Sequence, residues 1–278
     1  MKYGVNTLLW TAGFDRSHFA LLPPIKEAGF DGVEIARFDF QTFPTADVRR
    51  ETEKLGLELV LCSALTGDAS IITDDASIRG RSLSFLRDGI RVASELGASV
   101  FVGPFVSAVG FKPGRRRTDD EWKRGVEGLQ SLGDTLTEYE VTLAVEPLNR
   151  FETFALNTAE DGAALCDAVG HPRIGILYDT FHGHIEEKDT GDAIRNVGKH
   201  LKHVHTCEND RGIPGSGQVH WNKVFPALKD TGYDGWLVIE SFGQSVPEIA
   251  AAACIWRDLA PSPESIMVDG VKFLKGRA

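Results

Sequence analysis

Short apolar runs rich in β-branched residues alternate with longer segments of helical period, about eight times along the chain. The runs are Tyr3–Leu8, Gly32–Arg37, Leu57–Leu65, Ser99–Phe105, Val141–Leu148, Ile174–Thr180, Leu201–Cys207 and Trp236–Phe242. Between them lie Ala20–Ala28, Ala46–Leu55, Ile78–Leu96, Asp119–Tyr139, Ala159–Val169, Asp192–Val197, Trp221–Asp230 and Val246–Leu259. In Ala159–Val169 the residues Ala159, Ala163, Leu165, Cys166 and Val169 form one apolar stripe, with Glu160, Asp161 and Asp167 off it. Gly29, Gly56, Gly97 and Gly232 punctuate the return from helix to strand, where a helix usually stops.

Strands alternating with helices imply right-handed crossovers and a parallel sheet. Eight such units in 278 residues imply closure, so the expected fold class is α/β, a (β/α)₈ TIM barrel. An open doubly wound sheet is the competing architecture, but no Gly-x-Gly-x-x-Gly follows an early strand. No linker, low-complexity segment or short-period repeat interrupts the chain, and residues 1–278 are read as a single domain.

Composition excludes some functions. The formal net charge of −10 argues against a nucleic-acid or anionic-membrane surface, both of which need a basic footprint. The basic run Arg115-Arg116-Arg117 reads as a solvated loop, with a substrate-phosphate contact as the alternative. Cys62, Cys166, Cys207 and Cys254 are widely spread, which favours reduced thiols and a cytoplasmic location. Met1 leads straight into the first strand, leaving no room for a signal peptide, and no apolar stretch approaches the ~20 residues of a membrane helix.

Barrel enzymes carry reactive side chains at the C-terminal ends of their strands. Here four successive strands end in Glu146, Asp179, His205 and Glu240. Three carboxylates and an imidazole converging in a barrel mouth would repel strongly unless a cation offset them. Oxygen-rich ligation of this kind suits one divalent ion such as Mn²⁺, Mg²⁺ or Co²⁺. Glu152 can accept a sugar hydroxyl, and His182 and Arg211 can donate to a carbonyl or hydroxyl oxygen; for Arg211 a loop salt bridge is the alternative. His184 reads as a surface or supporting histidine. Of Trp10, Phe105 and Phe242 at strand ends, the first two read as core or rim. Phe242, two residues past Glu240, shares its face of the strand.

These residues carry a resemblance. Glu146-Pro-Leu-Asn-Arg-Phe-Glu152, Asp179-Thr-Phe-His182 followed by Ile185-Glu-Glu, His205 with Arg211, and Glu240-Ser-Phe242 resemble the ketose 3-epimerases of D-tagatose, D-allulose (psicose) and L-ribulose, within the xylose isomerase-like barrel superfamily. The steps of 33, 26 and 35 residues between the four strand-end groups match that family's arrangement. The resemblance implies one Mn²⁺-type ion held by Glu146, Asp179, His205 and Glu240, with Glu146 and Glu240 doubling as the acid/base pair. It implies that Glu152, His182 and Arg211 hold a small sugar, which Phe242 is placed to pack against, and that the protein is a homodimer or homotetramer. The implied reaction is metal-dependent transfer of the C3 proton of a free ketose through a cis-enediolate. A related sugar isomerase or dehydratase, including one acting on 3-oxo or phosphorylated sugars, and a sugar-binding barrel without turnover are the alternatives. The chain departs from the family around strand seven (His205-Thr-Cys-Glu-Asn-Asp-Arg211), at Gly183-His184 and in the strand-four loop Gly103–Phe111. Those departures are expected to reshape the pocket around the far end of the sugar.

Overall fold

The computed structural model describes residues 1–277. Its strands are β1 (Lys2–Asn6), β2 (Gly32–Ala36), β3 (Glu58–Cys62), β4 (Val100–Gly103), β5 (Thr142–Val145), β6 (Ile174–Asp179), β7 (Leu201–His205) and β8 (Trp236–Ile239). They close into one barrel in chain order, with neighbours parallel and β8 pairing back to β1. All eight expected strands are present. Each ends earlier than its apolar run, and past five of the ladders the run continues into a loop that walls a cavity. Leu8, Ser63, Pro104, Leu148 and Phe242 are of this kind.

The helices depart from expectation in four places. The segment Asp119–Tyr139 is two helices, Asp119–Gln130 and Gly133–Glu138, and the Ser131 hydroxyl at the break donates to the Gly128 carbonyl at 2.7 Å. The segment Val246–Leu259 is helical only over Pro247–Ala252; Cys254, two residues on, adopts a positive φ of 56°. Helices over Thr180–Glu186 and Pro263–Lys275 were not anticipated, although Ser262 and Ser265 make a capping box with Pro263 at the first helical position.

Side chains alternate along a strand, so residues of one parity fill the barrel. Val60, Cys62, Val102, Ala144, Leu177, Trp236 and Val238 pack as one cluster there. The opposite parity, including Leu61, Leu143, Ile176 and Ile239, joins the larger core shared with the helices. Continuing the inward parity by two residues from Ala144, Leu177 and Val238 reaches Glu146, Asp179 and Glu240. On β7 the register slips: Ile176 pairs with Leu201, but Leu177 pairs with His203. Lys202 is the extra residue, and this bulge sets His205 opposite Asp179.

β4 ends in a tight approach to β3. Gly103 has φ 146°, and a Cβ there would lie 1.8 Å from the Ser63 carbonyl oxygen. Gly103→Ala should therefore cost about 3 kcal/mol or more, combining backbone strain with overpacking. Urea unfolding checks this; an unchanged midpoint would mean that the Ser63 loop yields freely.

Candidate active site

The four strand-end groups meet. One ligand atom from each of Glu146, Asp179, His205 and Glu240 can be chosen so that all lie within 4.8 Å of one another. All four residues are buried. Two of the converging atoms, Glu146 Oε1 and His205 Nδ1, are buried without a hydrogen-bond partner. An uncompensated buried polar atom is costly, and two beside further carboxylates make a donor set that fits a hard divalent cation.

Each group is oriented by the fold. Asp179 splits its carboxylate: Oδ1 accepts the Phe181 backbone N–H at 2.7 Å and caps the helix Thr180–Glu186, leaving Oδ2 for the cluster. His205 Nε2 donates to Glu34 Oε1 at 2.9 Å, so Nδ1 faces the acids, 3.3 Å from Glu240 Oε2 and 3.9 Å from Glu146 Oε1 and Asp179 Oδ2. The two glutamates are not equivalent. Burial, then the charges of Glu240 and Asp179, push the Glu146 carboxyl well above the usual range. Burial also pushes Glu240 upward, but His205 and Arg211 outweigh it and hold that carboxyl below its ordinary value.

A second set of side chains overlooks the cluster. His182 Nδ1 accepts the Asn149 backbone N–H at 3.0 Å, which assigns the ring proton to Nε2. Nε2 then lies 3.6 Å from Glu146 Oε1, too far for a hydrogen bond, and its 3.2 Å approach to Arg211 Nη2 is a contact between two donors. Burial and the Arg211 charge depress the His182 pKa well below the usual value, so the ring is neutral at pH 7. Arg211 Nη1 donates to Asp179 Oδ2 at 2.7 Å and to Glu240 Oε2 at 3.2 Å. Its guanidinium lies over the rings of Phe181 and Phe242, 4.0 and 4.7 Å from their centroids. Glu152 accepts the Asn149 side-chain amide at 2.8 Å, and burial raises its carboxyl above the ordinary range. Arg150 pairs with Glu186 at 2.9 Å and ties this loop to the helix after β6.

Arg211 is held by its loop. Its own φ is 67°, a left-handed conformation that a non-glycine residue adopts at a cost of about 1–2 kcal/mol. Glu208, fully buried, offsets that cost by closing the loop: its carboxylate accepts the N–H groups of Gly215 (2.7 Å), Val219 (2.8 Å) and the Trp221 indole (3.0 Å).

The cavity above the cluster measures about 410 Å³. Glu146, Glu152, His182, Arg211 and Glu240 form its polar floor, and Leu8, Ala12, Phe38, Val109, Phe242 and Ile249 its apolar wall. The predicted site residues are thus brought together. Phe105 lies in the core, 4.6 Å from the Phe101 ring, and Trp10 donates to Glu264, away from the cavity. His184 packs near His220 outside it. Arg115 pairs with Glu121 and Arg117 stacks on Trp122, so the basic run is used in the loop itself.

Sequence reasoning missed Glu34, Asn6, Phe38, Phe181 and Glu208. A lone acid inside the apolar run Gly32-Val-Glu-Ile-Ala36 was the signal for the first. The departures from the family pattern also fall differently than expected. Thr206 and Cys207 are fully buried beneath the site: the Thr206 hydroxyl bonds the Val238 carbonyl, and the Cys207 thiol the Glu240 carbonyl. Neither lines the cavity, nor do Gly183 and His184; the strand-seven segment reaches it through Arg211 and the strand-four loop through Pro104 and Val109.

A closed parallel barrel with a carboxylate-rich cluster at its C-terminal mouth that could hold a metal ion defines a class, and residues 22–277 match the family model of the xylose isomerase-like TIM barrel. A probable ketose 3-epimerase of Synechocystis sp. is 38% identical over 275 residues, covering 99% of this chain and 96% of the relative. The L-ribulose 3-epimerase of Mesorhizobium japonicum is 31% identical, covering 93% and 88%. The crystal structure of a D-allulose 3-epimerase from Methylomonas sp. superposes with a TM-score of 0.95 at 27% identity, covering 100% of this chain and 98% of that one. The chain belongs to the xylose isomerase-like barrels and, within them, to the ketose 3-epimerases.

Proposed function

We propose that the protein epimerises a free ketose at C3, with Glu146 and Glu240 as the acid/base pair. The observation that carries this reading is their convergence, from β5 and β8, on one ion site at the floor of a sugar-sized cavity. A divalent ion held by Glu146, Asp179, His205 and Glu240, with Mn²⁺ the first choice and Mg²⁺ or Co²⁺ the alternatives, would supply Lewis-acid polarisation of the C2 carbonyl. Inversion at C3 needs a base on one face and an acid on the other, a task that two carboxylates from separate strands suit. Each glutamate takes the proton in one direction and returns it in the other. The His182 Nε2–H and the Arg211 guanidinium donate toward the oxygen that gains charge in the enediolate, and Glu152 accepts a substrate hydroxyl.

Arg211 is the cationic side chain among the described cavity-lining residues, and Glu248 stands at the wall, which supports an unphosphorylated sugar. Arg211→Lys keeps the charge but loses the planar stack on Phe181 and Phe242, so KM should rise about tenfold. An unchanged KM would remove Arg211 from substrate binding.

The remaining expectations belong to the same proposal: one domain, a cytoplasmic location and a homodimer or homotetramer. The exposed rings of Phe111 and Phe151 support self-association, and no described helix is long and apolar enough to cross a membrane. The direct test incubates chelated and Mn²⁺-restored protein with a panel of free ketoses and separates the products. Metal-dependent appearance of the C3 epimer supports the proposal. An aldose or a dehydrated product instead would sink it.

A further inference from the structure

β2 carries one charged residue, and all five of its residues are buried. Glu34 is wholly shielded from solvent, where an unpaired carboxylate would be very costly. Its partners come from two sides. Oε1 accepts Nδ2 of Asn6, its register neighbour on β1, at 2.6 Å, and Nε2 of His205 at 2.9 Å. Oε2 lies 2.8 Å from His203 Nε2, in contact but without hydrogen-bond alignment. β2 and β7 are not neighbours, since β1 and β8 stand between them, so Glu34 and His205 meet in the barrel interior.

We propose that Glu34 is a positioning residue for the imidazole of His205, held in place by Asn6 and braced by His203. The inference rests on His205 being a metal ligand, as proposed above. A neutral imidazole has one donor nitrogen and one acceptor nitrogen. The bond to Glu34 puts the proton on Nε2 and turns the bare Nδ1 toward Glu146, Asp179 and Glu240, at 3.9, 3.9 and 3.3 Å. A carboxylate behind a ligating histidine fixes the tautomer and the ring orientation and makes the ligating nitrogen a better donor. The rival role for Glu34 is structural, filling and neutralising the barrel interior. The two roles part at the ion, because glutamine fills the same space and keeps an acceptor oxygen while losing the charge.

The test titrates Mn²⁺ into the metal-stripped full-length protein by calorimetry and records the visible spectrum of the Co²⁺ form. It uses wild type, Glu34→Gln, Glu34→Asp and Asp179→Asn. Glu34→Gln should keep the wild-type circular dichroism, bind Mn²⁺ about 10–100-fold more weakly, and shift the Co²⁺ bands. Glu34→Asp keeps the charge but draws the carboxylate back from His205, and it should weaken binding in the same sense; it serves also if the glutamine variant does not fold. Mn²⁺ affinity within about threefold of wild type, with an unchanged Co²⁺ spectrum in both variants, would overturn the inference. Asp179→Asn separates the two levels. If it abolishes tight binding while the Glu34 variants do not weaken it, only the role of Glu34 fails. If it leaves binding intact, the ligand assignment itself fails and this inference with it.

Discussion

Glu240→Gln, assayed at saturating Mn²⁺, should lose about 10³-fold or more in epimerisation rate, roughly 4 kcal/mol of transition-state stabilisation. Glu146→Gln should do the same. The two variants should nonetheless differ from inert protein in a specific way. With one glutamate gone, the other still reaches one face of C3. Each variant should therefore exchange the C3 hydrogen of one epimer with solvent while forming almost none of the other epimer, and the epimer that exchanges should switch between the two variants. Glu146→Gln should not lose stability, since burial and the neighbouring carboxylates already disfavour that charge, whereas Glu240→Gln should lose some, because it removes the charge that His205 and Arg211 stabilise. Near-normal epimerisation by either variant would remove that glutamate from the chemistry.

Stripping the divalent ion should abolish turnover without unfolding the barrel. The cluster keeps internal cationic partners: Arg211 donates to both Asp179 and Glu240, and burial opposes but does not prevent a raised His205 pKa beside Glu240 and Glu34. Far-UV circular dichroism should thus be unchanged after chelation. Restoring Mn²⁺ at about a hundred times its Kd should add about 2.7 kcal/mol and raise Tm by about 5 °C. Activity should return in parallel. Full turnover in thoroughly chelated protein, checked by elemental analysis, would contradict the ion site.

The strand-end acids were legible because each interrupts an apolar run at the point where barrel enzymes place their chemistry. The parity of Glu146, Asp179 and Glu240 followed from the strand period alone. Glu34 sits two residues from the end of its strand, and only the closed barrel reveals that its carboxylate crosses to His205. The bulge at Lys202 left no mark in the apolar pattern, yet it sets His205 opposite Asp179. The break at Ser131 was hidden because the apolar period continues across it. Glu208 resembled an ordinary loop acid, and its role depends on backbone N–H groups seven and eleven residues further on, at Gly215 and Val219. Local periodicity thus carries the layers of the barrel, while contacts closed by long loops exist only in the folded chain.

The central claim is that a proton moves at C3. The most direct test is to incubate the Mn²⁺-loaded protein with a ketose in D₂O and locate deuterium by NMR in both the recovered sugar and the product. Deuterium at C3, appearing with the C3 epimer and vanishing on chelation, is the predicted result. Label at C1 with an aldose product, or a C3 epimer formed without solvent label at any stage of the reaction, would contradict the account.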